Sequence, residues 1–151
     1  DIMKAFGLKS GATHTEFIKC HEDGEIYFLE TSSRVGGAHL AEMVEAATSI
    51  NLWTEWAKIE DSLARRKEYK LPKSVKQYAG IVLTLSKFQN PDLSSFDDPE
   101  VYFRVPLEYH AGLIVRSKNR DKVLALLDDY ADRLTRDFST SAAAPEVKKF
   151  H

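Results

Sequence analysis

A chain of 151 residues is long enough for one hydrophobic core, or for one small domain with part of another. Its 43% hydrophobic and 29% charged residues describe an ordinary globular protein, and a net charge of −2 excludes a broad electrostatic footprint for nucleic acid or anionic membrane. A single cysteine, Cys20, excludes an internal disulfide, and no apolar run approaches the ~20 residues of a membrane span, so the cytosol is the default expectation. The chain starts at Asp1 rather than Met and carries no leader pattern, which fits a piece of a longer protein.

Asp1 to Leu8, apolar at Ile2, Ala5 and Phe6, reads as the last turns of a helix ended by Gly7 or Gly11. Thr13 to Cys20 and Glu25 to Ser32 are rich in Thr, Ile, Phe and Tyr and flank His21, Glu22, Asp23 and Gly24, a pattern that predicts a β-hairpin. Pairing Cys20 with Ile26 sets Ile18 opposite Phe28 and Glu16 opposite Glu30, with His14 and Ser32 on the same face as Glu16 and Arg34 close by. Like charges directly opposite destabilise a ladder unless something compensates. Either the two carboxylates hold Mg²⁺ jointly with substrate phosphates, or they stand on an exposed hairpin where Arg34 screens them. His14 reads as a group that orients a phosphate or carboxylate, or as a hydrogen-bonded strand residue; Cys20 has no histidine at an activating spacing and reads as buried.

The segment T-S-S-R-V-G-G then runs into an amphipathic helix from Ala38 to Thr48, apolar at Leu40, Met43, Val44 and Ala47. Gly36 and Gly37 therefore fall at a helix start, where free N–H groups favour an anion, and Arg34 adds a planar cationic fork. His39 falls in the first helical turn with a surface role.

H-x-E, a hairpin, and then E-x-x-x-R-x-G-G resemble the ATP-grasp carboxylate–amine ligases, near the biotin carboxylase, carbamoyl phosphate synthase and amino-acid ligase branches. The specific motifs cover Asp1 to about Leu63, and the remainder matches only as a carboxylase-like C-terminal region. The resemblance implies that Glu16 and Glu30 bind Mg²⁺ bridging the phosphates of ATP, and that Arg34 stabilises charge on an acyl phosphate or its tetrahedral intermediate. His14, Ser32, Gly36 and Gly37 are then the substrate- and phosphate-binding residues, and Ser32 stands where many members carry an asparagine as a ligand of a second metal. The family's glycine-rich phosphate loop, ATP-binding lysines and adenine hinge lie N-terminal to this stretch, and nothing here replaces them. The expectation is the C-terminal half of an ATP-grasp fold in an ATP- and Mg²⁺-dependent ligase acting on small carboxylate and amine substrates. Its partner is the missing N-terminal half, with homo-oligomerisation open and neither nucleic acid nor membrane involved. The alternatives are a biotin- or bicarbonate-dependent carboxylase and a non-catalytic assembly or regulatory module.

Asn51 caps a second helix with an apolar stripe of Leu52, Trp56, Ile59 and Leu63, and Trp53, off that stripe, is expected to pack against a neighbour. Ala64 to Gln77, with six basic residues and Pro72, reads as a solvated linker or as a phosphate-binding patch. Tyr78 to Ser86 and His110 to Ser117 echo each other through an A-G pair and are expected to pair in a small antiparallel sheet, joined by a third strand, Glu100 to Val105. Asp97 and Asp98 belong to the Ser-, Asp- and Pro-rich turn before that strand. Asn119 caps the longest helix, Arg120 to Phe138, which covers the sheet and completes an α+β fold. The expected organisation is residues 1–63 as ATP-grasp, 64–77 as linker, 78–138 as a small α+β subdomain and 139–151 as a loose tail ending in His151.

Overall fold

The computed structural model describes residues 2–139, in which the chain divides between Gln77 and Tyr78 into two compact units. In the first unit, α1 (Ile2–Ala5) is a single turn closed by Gly7 at φ 68°, with the Gly7 N–H donating to Lys4 O and the Leu8 N–H to Met3 O. β1 (His14–Lys19) and β2 (Ile26–Ser32) form the expected antiparallel hairpin. Its tip is tied by the Cys20 N–H to Glu25 O (2.9 Å), and Asp23 accepts from the Glu25 N–H and the Tyr27 hydroxyl, which holds the Asp23 carboxyl below its usual range.

The register departs from the expected one beyond Glu16. His14, Thr15 and Glu16 pair with Ser32, Thr31 and Glu30 as anticipated, but Phe17 pairs with Phe28 and Ile18 with Tyr27 rather than Phe28. Leu29 is left as a bulge. In this register Phe28 lies edge-on against Phe17 (centroids 6.1 Å apart) and tilted against Phe6 (6.3 Å).

α2 (Leu40–Thr48) starts two residues later than the apolar period suggests, because Ala38 and His39 both take left-handed conformations, at φ 49° and 62°. His39 is thus the N-cap rather than a first-turn residue, with Nδ1 3.6 Å from Glu42. Asn51 caps α3 (Leu52–Ala64) as expected, accepting from the Thr54 N–H at 2.9 Å. The α3 stripe is only half buried and its last member, Leu63, is 53% exposed; Trp53 packs against a neighbour as expected, stacking on Trp56.

The buried residue of α3 is Glu55, 7% exposed, which accepts from Lys58 Nζ and the Tyr69 hydroxyl at 2.8 Å each. The Lys58 bond first, then that of Tyr69, lowers its carboxyl below 4.5. A depressed folded value means stability that is present above pH ~4.5 and lost as pH falls through the folded value. Thermal melts should therefore show Glu55→Gln less stable than wild type near neutrality, the gap closing in acid; a gap independent of pH would contradict the assignment.

The second unit is a sheet of β3 (Tyr78–Leu85), β5 (His110–Ser117) and β4 (Val101–Arg104), ordered β3-β5-β4 and antiparallel throughout, with α4 (Arg120–Asp137) packed on β3 and β5. The two A-G strands pair over their whole length, Tyr78 with Ser117 to Leu85 with His110. Asn119 caps α4 through the Asp121 and Lys122 N–H groups, and Val123, Tyr130, Leu134 and Phe138 enter a core with Leu113 and Val115. Tyr130, wholly buried, donates to Asp98 at 2.5 Å, so one acid of the Asp97–Asp98 pair serves the core. Ser139 bridges to Ser86; the rest of the expected tail, His151 included, lies outside the described residues.

Gly112 lies where a β-carbon would stand 2.6 Å from Leu83 Cδ1 and 3.0 Å from both Val105 Cγ2 and the Val82 carbonyl oxygen. Backbone cannot yield as a side-chain tip does, so Gly112→Ala is expected to destabilise the chain by ~1–3 kcal/mol in chemical denaturation. An unchanged midpoint would show that the sheet relaxes freely there.

Candidate functional site

Strand alternation and the observed pairing put His14, Glu16, Glu30 and Ser32 on one face of the hairpin, and Thr15, Thr31, Phe17 and Phe28 on the other. On that second face, the Thr15 and Thr31 hydroxyls lie 2.9 Å apart and lock the register next to the acids. Glu16 and Glu30 are direct cross-strand partners, and His14 Nδ1 lies 3.6 Å from Glu16 Oε1. Among the described residues no ion pair joins Arg34 to either glutamate; its Nη1 donates instead to Val35 O at 3.0 Å. Val35 is 2% exposed and anchors this turn.

Gly36 is buried against the hairpin. A β-carbon there would stand 3.3 Å from His14 Cδ2 and 3.3 Å from Leu40 Cβ, so the absence of a side chain lets the approach to α2 pass close to the His14 ring. At Gly37 the same construction meets Arg34 Nη1 at 3.8 Å, and Gly37 O accepts from the Leu40 N–H at 3.0 Å. His14 is thereby brought to Gly36, Arg34 to Gly37, and the glycine pair to the turn preceding α2.

No family model and no curated protein matches this chain. Among solved structures it is similar to the crystal structure of phosphoribosylglycinamide synthetase from Anaerococcus prevotii, at a TM-score of 0.50 and 21% identity over 93% of this chain. The likeness is one of fold: a mixed α+β chain with antiparallel sheets and, among the described residues, four helices, as expected of the C-terminal half of an ATP-grasp fold. The chain spans 39% of the length of that synthetase.

Two facing carboxylates, both reachable from solvent, are hard oxygen donors of the kind that suits Mg²⁺. No group of three or more His, Cys, Asp or Glu converges as a metal cage among the described residues. Such a pair fits a cation completed by phosphate oxygens and water rather than a closed protein site. The Leu29 bulge had no signature in the sequence, nor did the left-handed Ala38–His39 pair. Val35 was legible only as an isolated apolar residue between Arg34 and the glycines.

Proposed function

We propose that this chain is the C-terminal part of a cytosolic, ATP- and Mg²⁺-dependent ligase that activates a carboxylate as an acyl phosphate and joins it to an amine. The observation that carries this reading is the direct pairing of Glu16 with Glu30, on the face shared with His14 and Ser32, in a chain of ATP-grasp fold. Glu16 and Glu30 would hold Mg²⁺, which when bound neutralises phosphate charge. Arg34, exposed beside Gly37, offers its guanidinium to the negative charge that develops on the reacting carboxyl oxygen. His14 and Ser32 present polar groups to a phosphate or substrate carboxylate, and Gly36 and Gly37 let that group approach the start of α2.

The surface of the first unit is consistent with a larger enzyme. Ile18, Ile26, Tyr27 and Leu29 are each more than half exposed on the hairpin, apolar side chains that a further part of the protein could cover. The base-binding elements are placed in that larger protein, so the 151-residue chain alone should bind ATP no tighter than the millimolar range, about 4 kcal/mol. Micromolar affinity by calorimetry would contradict this placement. The reaction class is tested by supplying the full-length protein with ATP, Mg²⁺ and a panel of carboxylates and amines, scored by phosphate release. Amine-dependent release supports the ligase. Release dependent on bicarbonate and biotin instead supports a carboxylase, and no release with any pair supports a non-catalytic module.

A further inference from the structure

The segment that joins α3 to the second unit carries Arg66, Lys67, Lys70, Lys73 and Lys76, all exposed, with Glu68 as its one acid. None of these five cations forms an ion pair among the described residues, whereas Arg65 just before them pairs with Asp61 at 2.6 Å. The segment is nonetheless pinned at both ends. The Lys67 N–H donates to Ser62 O, the Tyr69 hydroxyl to Glu55, the Val75 N–H to Thr48 O, and the Gln77 N–H to Ala47 O. Between Lys67 and Val75 no backbone amide or carbonyl is bonded to another described residue. Leu71 is 70% and Val75 46% exposed among the lysines. Beside them opens a hollow of about 580 Å³ whose lining sets the carboxylates of Asp61 and Glu68 beside Lys58, Tyr69 and Lys70.

A simple solvated spacer needs neither a pinned backbone nor apolar side chains in the open. We infer that residues 67–76 form a docking edge for an acidic, extended segment of another protein, its carboxylates meeting the lysines and its backbone meeting the unpaired amides. Charge complementarity selects an acidic partner, and the unbonded backbone groups on either side of Pro72, in a segment that is irregular rather than a strand, select a peptide that can bond to them. Single-stranded nucleic acid calls for aromatic platforms among the cations; the aromatic ring here, Tyr69, is tied to Glu55. An apolar side chain of the partner lies on the exposed Leu71.

The test is fluorescence anisotropy with a labelled peptide of about ten residues alternating Glu and Val, titrated with the 151-residue chain and with the full-length protein. Binding should weaken steeply with salt, and the double variant Lys70→Glu, Lys73→Glu should weaken it by ~10-fold or more. Leu71→Ser, which leaves every charge in place, should weaken it by ~5-fold. Equal affinity for a charge-matched oligouridylate or for phosphatidylserine vesicles would overturn the proposal, and so would an unchanged Leu71→Ser titration. Loss of peptide binding in the full-length protein would also overturn it, since the edge would then be covered by its own chain.

Discussion

Glu30→Gln in the full-length protein should lower kcat by at least ~100-fold, because it removes charge from the carboxylate pair assigned to Mg²⁺ at the transferring phosphoryl group. The side chain keeps its size and its place opposite Glu16, so the loss is electrostatic and not structural. In the isolated chain the same change should leave the melting temperature unchanged or slightly raised, since it relieves two like charges paired directly across a ladder. The opposite signs are informative. A residue that supported the fold would lose stability and activity together, whereas a metal-binding residue loses activity alone. Undiminished turnover with unaltered Mg²⁺ dependence would remove the metal assignment.

Arg34→Lys should reduce kcat and kcat/KM together, by ~10-fold or more, with ATP binding nearly constant. Lysine keeps the charge but loses the planar fork, and a group that acts on charge developing in the transition state depends on that geometry. Were Arg34 only a screen for Glu16 and Glu30, its charge alone would suffice and lysine would substitute freely. Arg34 also donates to Val35 O, so Arg34→Ala loses an anchor of the turn and is expected to lower the melting temperature modestly. Arg34→Lys is therefore the cleaner variant. Near-normal kinetics in it would end the catalytic assignment.

The parts of the fold that were legible in the sequence are those set by local periodicity. The A-G echo marked β3 and β5 as partners, the Asn51 and Asn119 caps marked their helices, and the long last helix was expected on the sheet that it covers. The Glu16–Glu30 pairing was legible too, because it lies on the stretch of ladder before the bulge. What was not legible depends on contacts distant in sequence or on backbone states that composition does not mark. The one-residue shift at Leu29 accompanies the meeting of Phe17, Phe28 and Phe6, and no hairpin rule contains Phe6. The delayed start of α2 rests on Ala38 and His39 at positive φ, where glycine or asparagine is the usual signal. The close pass of Gly36 by His14 explains that glycine by packing as well as by ligand access, a role invisible without the third dimension.

The central claim is that Glu16 and Glu30 jointly hold the metal of a metal–nucleotide complex, and Mn²⁺ in place of Mg²⁺ tests it most directly. Water-proton relaxation would measure Mn²⁺–ATP binding to the full-length protein, to Glu16→Gln, to Glu30→Gln and to the double variant. Each single variant is predicted to weaken binding by ~10-fold or more, and the double variant by less than the product of the two, as expected of two ligands on one ion. Single variants that bind Mn²⁺–ATP as wild type does, or two losses that multiply independently, would contradict a shared metal at this pair.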